Sequence, residues 1–334
     1  MHVALRFIIC SFTLLVIAGV GSALWALHEF RKPGPLAEVH YIVIEKGKGL
    51  NAIAEQLDRE TVISNPLIFK VAARLQQVHT KLHAGEYEIM AGASMAFILD
   101  QMARGNVYDR KLTFREGLTS WQIVQILNKA DNLSGDALTA IPAEGSLLPE
   151  TYHFMKTDMR QSIIDQMEKA MIKARDELWP ARDQGLPLNT IEEALILASI
   201  VEKETGVADE RGKVAGVFIN RLRRGMPLQS DPTAIYALTN GEVREDGMGP
   251  LGRRLLRKDL EVDSPYNTYK YSGLPPGPIC NPGRESLAAV LHPEAHEYIY
   301  FVADGTGGHA FARTLAEHEA NVTQWRRIRA QGTP

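Results

Sequence analysis

Within Thr190 to Gly206, TIEEALILASIVEKETG, lies a stretch that has no place on a protein surface. Ala194 to Val201 carries no charge and no stripe at the 3.6-residue period. A helix that is apolar all round is a buried helix, so the rest of the chain must supply packing partners on every side of it. The ends read clearly. Thr190 followed three residues on by Glu193 is a capping box, in which the Thr hydroxyl accepts a backbone N–H of the first turn and the Glu reaches back. Gly206 reads as the stop, because Gly takes the left-handed conformation without cost. Glu202 and Glu204 fall in the last turn with Lys203 between them.

That placement is chemically unusual. A helix C-terminus carries partial negative charge and favours cations, so two carboxylates there are disfavoured unless something uses them. Residues two apart lie about 200° apart around the axis and do not share a face. Glu204 lies over Ile200 and Val201, and Glu202 over Ala198 and Ser199. A carboxyl held against apolar surface has its pKa raised and serves as a general acid near neutral pH. The plainer reading leaves both solvated at a frayed end or paired with Arg211 or Arg221. The residues alone leave both readings open.

A second constraint lies at the start of the chain. Phe7 to Leu27, FIICSFTLLVIAGVGSALWAL, runs 21 residues without a charge. That length spans a bilayer, and Trp25 near its end suits the membrane interface. The alternative is a cleaved signal peptide with Gly21-Ser22-Ala23 at the cut. An uncleaved anchor over 7–28 is preferred, because the apolar run exceeds a signal-peptide core and continues past that site. A short head, residues 1–6, then stays cytoplasmic and the body lies outside the membrane. With 334 residues the chain has room for two or more domains. A net charge of -3 without long Lys/Arg blocks gives no nucleic-acid signature. Cys10 sits in the apolar run, so Cys280 is expected unpaired. His79/His83 and His292/His296 have i,i+4 spacing but lack the Glu of a zincin helix, and a Pro interrupts the second pair. No metal site and no cofactor are expected.

Lys32-Pro33-Gly34-Pro35 marks a helix-breaking linker over 29–38. Residues 39–130 then repeat a theme of strand, turn and Gly-x-[Asn/Ser/Thr] opening a short helix. The strands are read at 39–45, 86–90 and 109–116. The helix openings are GLNAIAEQL, with Asn51 as cap, GASMAFILDQM and GLTSWQIVQIL. A further helix starts at Asn65-Pro66 and runs to about Gln77. The content is a small α/β module, either a stalk or a ligand-binding unit. Residues 131–334 read as mainly helical. Helices are expected at 161–178, 190–204, 209–224, 231–238, 284–290 and 314–329, with Asp231 capping the fourth and Asn220 a buried polar group needing a partner. Asp263 to Gly283, DSPYNTYKYSGLPPGPICNPG, is too rich in Pro and Gly for regular structure. It is either a binding loop with Tyr266, Tyr269 and Tyr271 as flat amphipathic surface, or a structural wrap. YIYFVAD (298–304) reads as a buried strand and GTGGHAF after it as a turn. Without a Lys, that turn is not a phosphate cradle. The fold class is therefore α+β: an N-terminal transmembrane helix, a small α/β module and a mainly helical domain with a short β component.

Several of these segments, taken in order, resemble the YceG-like (MltG) family of endolytic murein transglycosylases. The carrying stretches are ASIVEKET (198–205), VFINRLRRGMPLQSDPT (217–233), SPYNTYKYSGLPPGPICNPG (264–283) and FVADGTGGHAF (301–311). EGSLLPETY (144–152) is similar to the family's EG…PDTY, with Glu150 at the usual Asp. The resemblance covers essentially the whole chain and implies that the 39–130 module is LysM-like and that 131–334 is the catalytic domain. It also implies a lyase that cuts the β-1,4 bond between N-acetylmuramic acid and N-acetylglucosamine, leaving a 1,6-anhydro end and terminating or trimming nascent strands. The catalytic Glu of the family falls in EKET and carries over to Glu204, with Glu202 the alternative. Substrate contacts carry over to Glu150, Tyr152, Asn220, Gln229, Asp231, Thr233, Tyr266, Asn267 and Tyr269. Peptidoglycan strands are the implied substrate, peptidoglycan synthases (penicillin-binding proteins) the implied partners, and the cytoplasmic (inner) membrane the implied location, single-pass with the catalytic domain on the periplasmic side. Two competing readings remain. One is a hydrolytic muramidase, which needs a second carboxylate, Asp231 or Glu150. The other is a catalytically silent peptidoglycan-binding anchor.

Overall fold

The expectation of a helix enclosed on all sides is met at Ile191–Glu204. In the computed structural model, which describes residues 2–156, 158–242, 250–330 and 332 but no side chain before residue 9, every residue from Ala194 to Val201 is buried. Met1 and the side chains of the expected cytoplasmic head lie outside the described residues. The elements, in order, are α1 (His2–Arg31), β1 (His40–Ile44), α2 (Leu50–Arg59), α3 (Pro66–Leu75), β2 (Gly85–Ile89), α4 (Met95–Arg104), β3 (Arg110–Thr113), α5 (Ser120–Lys129), β4 (Thr151–Phe154), α6 (Arg160–Leu178), α7 (Ile191–Glu204), α8 (Arg211–Arg223), α9 (Asp231–Thr239), α10 (Arg284–Leu291), β5 (Tyr300–Ala303), β6 (His309–Ala312) and α11 (Leu315–Ala330). The strands form two-stranded sheets, β1–β2, β3–β4 and β5–β6. The chain mixes helix and sheet, and it divides into two compact units.

The first unit comprises Met1–Arg110 with His153–Thr157. Its strands β1 and β2 run antiparallel, His40 opposite Ile89 and Ile44 opposite Gly85. One face of this ribbon packs on the helices: Ile42, Ile44, Tyr87 and Ile89 close over Ile53, Leu57, Phe69, Ile98 and Leu99, and Phe30 at the end of α1 joins them. Each side chain of that size stabilises by about 1.5–3 kcal/mol when fully buried. The helix starts are built as their sequences demand. Asn65 Oδ1 accepts the N–H groups of Leu67 and Ile68 at 3.0 and 3.1 Å, and Ser94 Oγ accepts that of Phe97 at 3.2 Å. Gly105, at φ 69°, closes α4 in the left-handed conformation. Fully buried Glu86 is held by a bidentate Arg110 guanidinium at 2.8 Å, which satisfies the charge where water is excluded. Over Ile9–Arg31, α1 is apolar and long enough to cross a membrane.

The second unit comprises Lys111–Tyr152 with Asp158–Pro334. Its core is α7 packed by α8, α10 and α9, with Leu197, Ala198, Ile200 and Val201 in one cluster with Val214, Phe218, Leu287 and Val290, and Met171 of α6 joins that cluster. The hairpin β5–β6 pairs antiparallel, Tyr300 opposite Ala312, and packs on α8 and α11. Arg160 at the start of α6 donates to the carbonyls of Leu127, Ala130, Ser134 and Gly135, which binds α6 to the C-terminal end of α5.

Several local expectations differ from the structure. The three rhyming strands do not share one sheet, because β1 pairs with β2 whereas β3 pairs with β4. The helix after Gly49 starts on Leu50 with no side-chain cap, so Asn51 lies inside it. Residues 208–210 form a 3-10 turn ahead of α8. The GTGGHAF segment is half strand, and its partner strand is half-buried, since a two-stranded hairpin leaves one face open. At α7 the start is half as expected: Thr190 Oγ accepts from Glu193 N–H at 3.2 Å, but the Glu193 carboxylate takes the N–H of Asn189, one residue earlier. Its end differs too. Extended Thr205, at φ -138°, stops α7, and Gly206 is not left-handed. Glu204 is, as expected, the last helical residue, and it is only half-buried. The compact units part between residues 110 and 111, whereas the repeated sequence theme suggests 130.

Candidate active site

Glu204 ends the buried helix α7, so its Cα is held by the core of the second unit. Its side chain is half-buried, and its Oε1 accepts a 2.5 Å hydrogen bond from the Ser230 hydroxyl. Burial pushes its carboxyl up to about 7. The Ser230 hydrogen bond favours the anion and opposes that rise. The nearby Asp231 charge adds to it, and His309 and Arg221 oppose it. The helix C-terminus adds no stabilisation for an anion. A carboxyl balanced in this way exchanges a proton near neutral pH.

Ser230 is free for this role because of how α9 begins. Asp231 was expected to cap α9. Instead, Ser230 occupies the N-cap position without its side chain capping, Asp231 is the first helical residue and Pro232 follows. The Ser230 hydroxyl therefore turns to Glu204, and its N–H donates to Thr268 Oγ1 at 3.0 Å. Asp231 Oδ1 accepts from the Tyr269 hydroxyl at 2.6 Å, and burial together with that bond pushes the Tyr269 phenol upward. Just before Ser230, exposed Gln229 sits at φ 51°. A left-handed non-glycine costs of order 1–3 kcal/mol and persists where its surroundings over-determine it. Here the Gln229 N–H donates to the Thr268 carbonyl at 3.1 Å.

Glu202, two residues away, faces another way. Its Oε2 accepts the backbone N–H of Gly283 at 3.0 Å, and Lys203 donates to the Gly117 carbonyl at 3.2 Å. The two arginines weighed as partners for these carboxylates are otherwise engaged. Arg211 pairs with Glu116 at 3.1 Å, and buried Arg221 donates to the carbonyls of Ile299 and Leu228.

The nine expected contact residues divide. Asp231, Tyr269 and the Gln229 backbone belong to the cluster around Ser230. Thr233 lies beneath it, fully buried, donating to the Ser230 carbonyl at 2.7 Å and bonded to Thr268 Oγ1 at 2.8 Å. Tyr266 packs on Tyr236 with ring centroids 4.8 Å apart and the planes tilted by 48°. Asn267 is fully buried and ties its own loop, donating to the carbonyls of Leu260 and Val262. Asn220 has its partners in the main chain: its amide donates to the carbonyls of His296 and Tyr298 at 2.8 and 3.0 Å. Tyr152 is buried against Phe114, its hydroxyl donating to the Leu148 carbonyl. Glu150 is exposed, its carbonyl accepting the Phe114 N–H. The hydrogen bonds given for Asn220, Tyr152 and Glu150 run to loop and core backbone, outside the Glu204–Ser230 cluster, whereas Asn267 Oδ1 also accepts the Tyr269 N–H at 3.1 Å. Ser230 was missed in the sequence, although it stands between two residues that were chosen; a small hydroxyl before Asp-Pro reads as a spare cap. His309, whose Nδ1 lies 2.7 Å from Glu210 Oε2, was hidden in a glycine-rich turn.

The Tyr- and Pro-rich segment reaches the Ser230 cluster at one end, through Thr268 and Tyr269, and wraps the core at the other. Ile279, Cys280, Asn281, Pro282 and Gly283 are buried. Asn281 stitches the wrap down, accepting the Leu147 N–H and donating to Ser120 Oγ. Cys280 is a free, buried thiol donating to the Ser199 carbonyl, and burial pushes its pKa well up. A cavity of about 310 Å³ opens between α5 and α9, lined by Thr119, Gln122, Lys203, Pro232 and Tyr236. Glu144 lies beside it, accepting from the Ser120 N–H at 3.0 Å, and burial pushes it up to about 7.

Comparison with known proteins places these residues in context. The profile of the YceG-like family matches residues 42–324. A Bacillus subtilis (strain 168) protein named endolytic murein transglycosylase is 33% identical over 309 residues, covering 83% of this chain and 82% of that protein. A Streptococcus pneumoniae (serotype 2) protein of the same name is 29% identical over 329 residues, 84% of this chain and 57% of its own length. A crystal structure of a yceG-like protein from Listeria monocytogenes is 32% identical, with 85% of this chain and 98% of that one aligned at a TM-score of 0.49.

Proposed function

The chain belongs to the YceG-like family, and from that premise we propose that it is a lytic transglycosylase of murein. It would cut the β-1,4 bond between N-acetylmuramic acid and N-acetylglucosamine from within the strand, with Glu204 as its one catalytic carboxyl. The observation that carries the assignment is the Glu204 carboxyl itself: half-buried, raised to about 7, and hydrogen-bonded by Ser230. Glu202 is the weaker candidate, because the Gly283 N–H already occupies it.

The chemistry needs one proton carrier. Protonated Glu204 gives its proton to the glycosidic oxygen as the C1–O bond breaks, and the N-acetylglucosamine side leaves as an alcohol. The resulting carboxylate takes the proton from the muramyl O6 hydroxyl, whose oxygen closes onto C1. The product is the 1,6-anhydro end, and Glu204 is protonated again. Ordinary glycosidases use two carboxylates because water or the enzyme attacks C1. Here the substrate brings its own nucleophile. Ser230 steadies the carboxylate between the two transfers, and Asp231 with Tyr269 forms a polar rim at the start of α9. The first unit, with its strand–helix–helix–strand order, supports a LysM-like glycan-binding role, and α1 supports a single-pass anchor with the body in the periplasm. Synthases that extrude nascent strands are the partners this placement suits.

Asp231 also supports a second reading. It is a carboxylate close enough to raise Glu204, and a muramidase would use it to activate water. Mass spectrometry of glycan fragments separates the possibilities. Anhydro ends are expected from the native chain and none from Glu204→Gln, since an amide cannot donate the proton and loss of a general acid costs about 10²–10⁴-fold. Reducing ends would favour hydrolysis. Intact strands from the native chain would favour a silent glycan-binding anchor.

A further inference from the structure

α3 shows an outward face that the first unit leaves uncovered. Leu67, Val71 and Leu75 recur at i, i+4 and i+8 and are 65%, 43% and 79% exposed. Their helical neighbours Lys70 and Arg74 flank this stripe on one side, while Ile68, Phe69 and Ala73 turn inward to the core. A helix with an apolar face outward and cations along its edge has the pattern of an interfacial membrane helix. Leucines in that position are otherwise an aggregation liability.

The position of α3 along α1 decides what covers it. The two helices border an apolar groove of about 710 Å³, lined from α1 by Ser22, Trp25, Ala26 and Phe30 and from α3 by Leu67, Val71 and Leu75, among others. If Phe7–Leu27 crosses the hydrocarbon, Leu27 marks its edge. Ser22 then lies about 7.5 Å deeper, at about 1.5 Å per residue. The part of α3 that shares a groove with Ser22 and Trp25 is thus at the level of the outer leaflet. Amphipathic interfacial helices sit about 5–10 Å into the boundary between headgroups and acyl chains, which is the same depth. Trp25, 58% exposed in the groove wall, is a residue of that zone.

We propose that α3 is a second membrane element. It lies in the bilayer surface from which α1 emerges, with Leu67, Val71 and Leu75 among the acyl chains, lipid tails filling the groove, and Lys70 and Arg74 at anionic headgroups. The first unit is then held down at two points, α1 and α3, and cannot swivel freely on its anchor. The inference rests on the reading of α1 as a membrane span, and the test keeps the two separate.

The full chain is prepared with Cys10→Ser, which removes the exposed thiol and leaves buried Cys280. Val71→Cys or Leu15→Cys is added, labelled with an environment-sensitive nitrobenzoxadiazole fluorophore, and reconstituted in phosphatidylcholine–phosphatidylglycerol liposomes. Both positions are exposed, so the label displaces no core. The expected result is blue-shifted emission at residue 71 that is lost when shallow doxyl-labelled lipid is added, and loss to deep doxyl-labelled lipid at residue 15. A residue 71 probe with the emission of a fluorophore in water, beside a quenched residue 15 probe, overturns the α3 assignment and leaves the anchor standing. If neither probe is quenched, the anchor reading and this inference fall together. Blue-shifted but unquenched emission at residue 71 means that protein, such as a second copy, covers the face, and overturns the inference as well.

Discussion

Glu204 shows how a few atoms set the working range of a carboxyl. With Glu204 as the proposed general acid, its acid form starts the reaction, so kcat/KM is expected to hold below neutrality and to fall above about pH 7. Two neighbours move that limb in opposite directions. Ser230→Ala removes a donor that favours the anion, so the limb shifts to higher pH. Asp231→Asn removes a repelling charge while keeping an acceptor for Tyr269, so it shifts lower. Rate profiles across pH 5–9 check both, and limbs that stay put in the two variants would remove Glu204 from the acid role. Stability carries the same signature. A carboxyl raised in the folded state keeps protons that the unfolded chain has lost, so stability falls as pH rises from about 4.5 to about 7. Glu204→Gln escapes that loss and is expected to be more stable than the native chain at pH 8, by on the order of 2 kcal/mol, with no difference at pH 4, as read from thermal melts at the two pH values. Glu204 was legible in the sequence because its residue type conflicts with a helix C-terminus. Ser230 was not, because whether Ser or Asp caps α9 depends on a one-residue shift in where the helix starts.

The helices of the second unit were readable from periodicity, yet which polar side chains face solvent and which tie elements together was not. A polar residue among apolar ones at helical spacing looks the same either way. Asn220 is the clearest case. Chosen from the sequence as a substrate contact, it clamps the 296–298 segment to α8 through two carbonyls. Asn220→Ala is therefore expected to destabilise by about 2–3 kcal/mol, the cost of leaving part-buried carbonyls without a donor. KM should change little at temperatures where the variant is folded. Thermal melts set beside KM measurements test this, and a raised KM with an unchanged melt would return Asn220 to the substrate. The same ambiguity hid the β5–β6 hairpin. GTGGHAF looks like a turn because glycines dominate it, and the alternation of His309, Ala310, Phe311 and Ala312 is too short to register as a strand until Tyr300–Ala303 pairs with it.

At the scale of the molecule, the sequence separates an apolar N-terminal helix, an α/β part and a helical part, and its repeated theme runs to residue 130 whereas the compact units part at 110. GLTSWQIVQIL rhymes with the helix openings of the first unit, yet α5 belongs to the second. Its side chains explain why: Ile123, Val124 and Leu127 are buried, Ser120 N–H and hydroxyl bond Glu144 and the Ala143 carbonyl, and Thr119 donates to the Gly241 carbonyl across the cavity beside α9. Three such side chains are worth roughly 5–8 kcal/mol of burial, comparable to the whole stability of a typical domain at about 5–15 kcal/mol. A chain beginning at Lys111 keeps α5 and should fold and cleave soluble glycan strands, with weaker binding because the first unit is gone. That would appear as a raised KM with kcat largely retained. A chain beginning at Asp131 loses α5, strips Glu144 of its Ser120 N–H donor and leaves Arg160 without the Leu127 and Ala130 carbonyls. It should be unfolded or molten by near-UV circular dichroism. A folded, active 131–334 chain would show that α5 is dispensable and that the division at residue 130, read from the rhyme, is the functional one. Loss of kcat in a folded 111–334 chain would mean that the chemistry itself draws on the first unit.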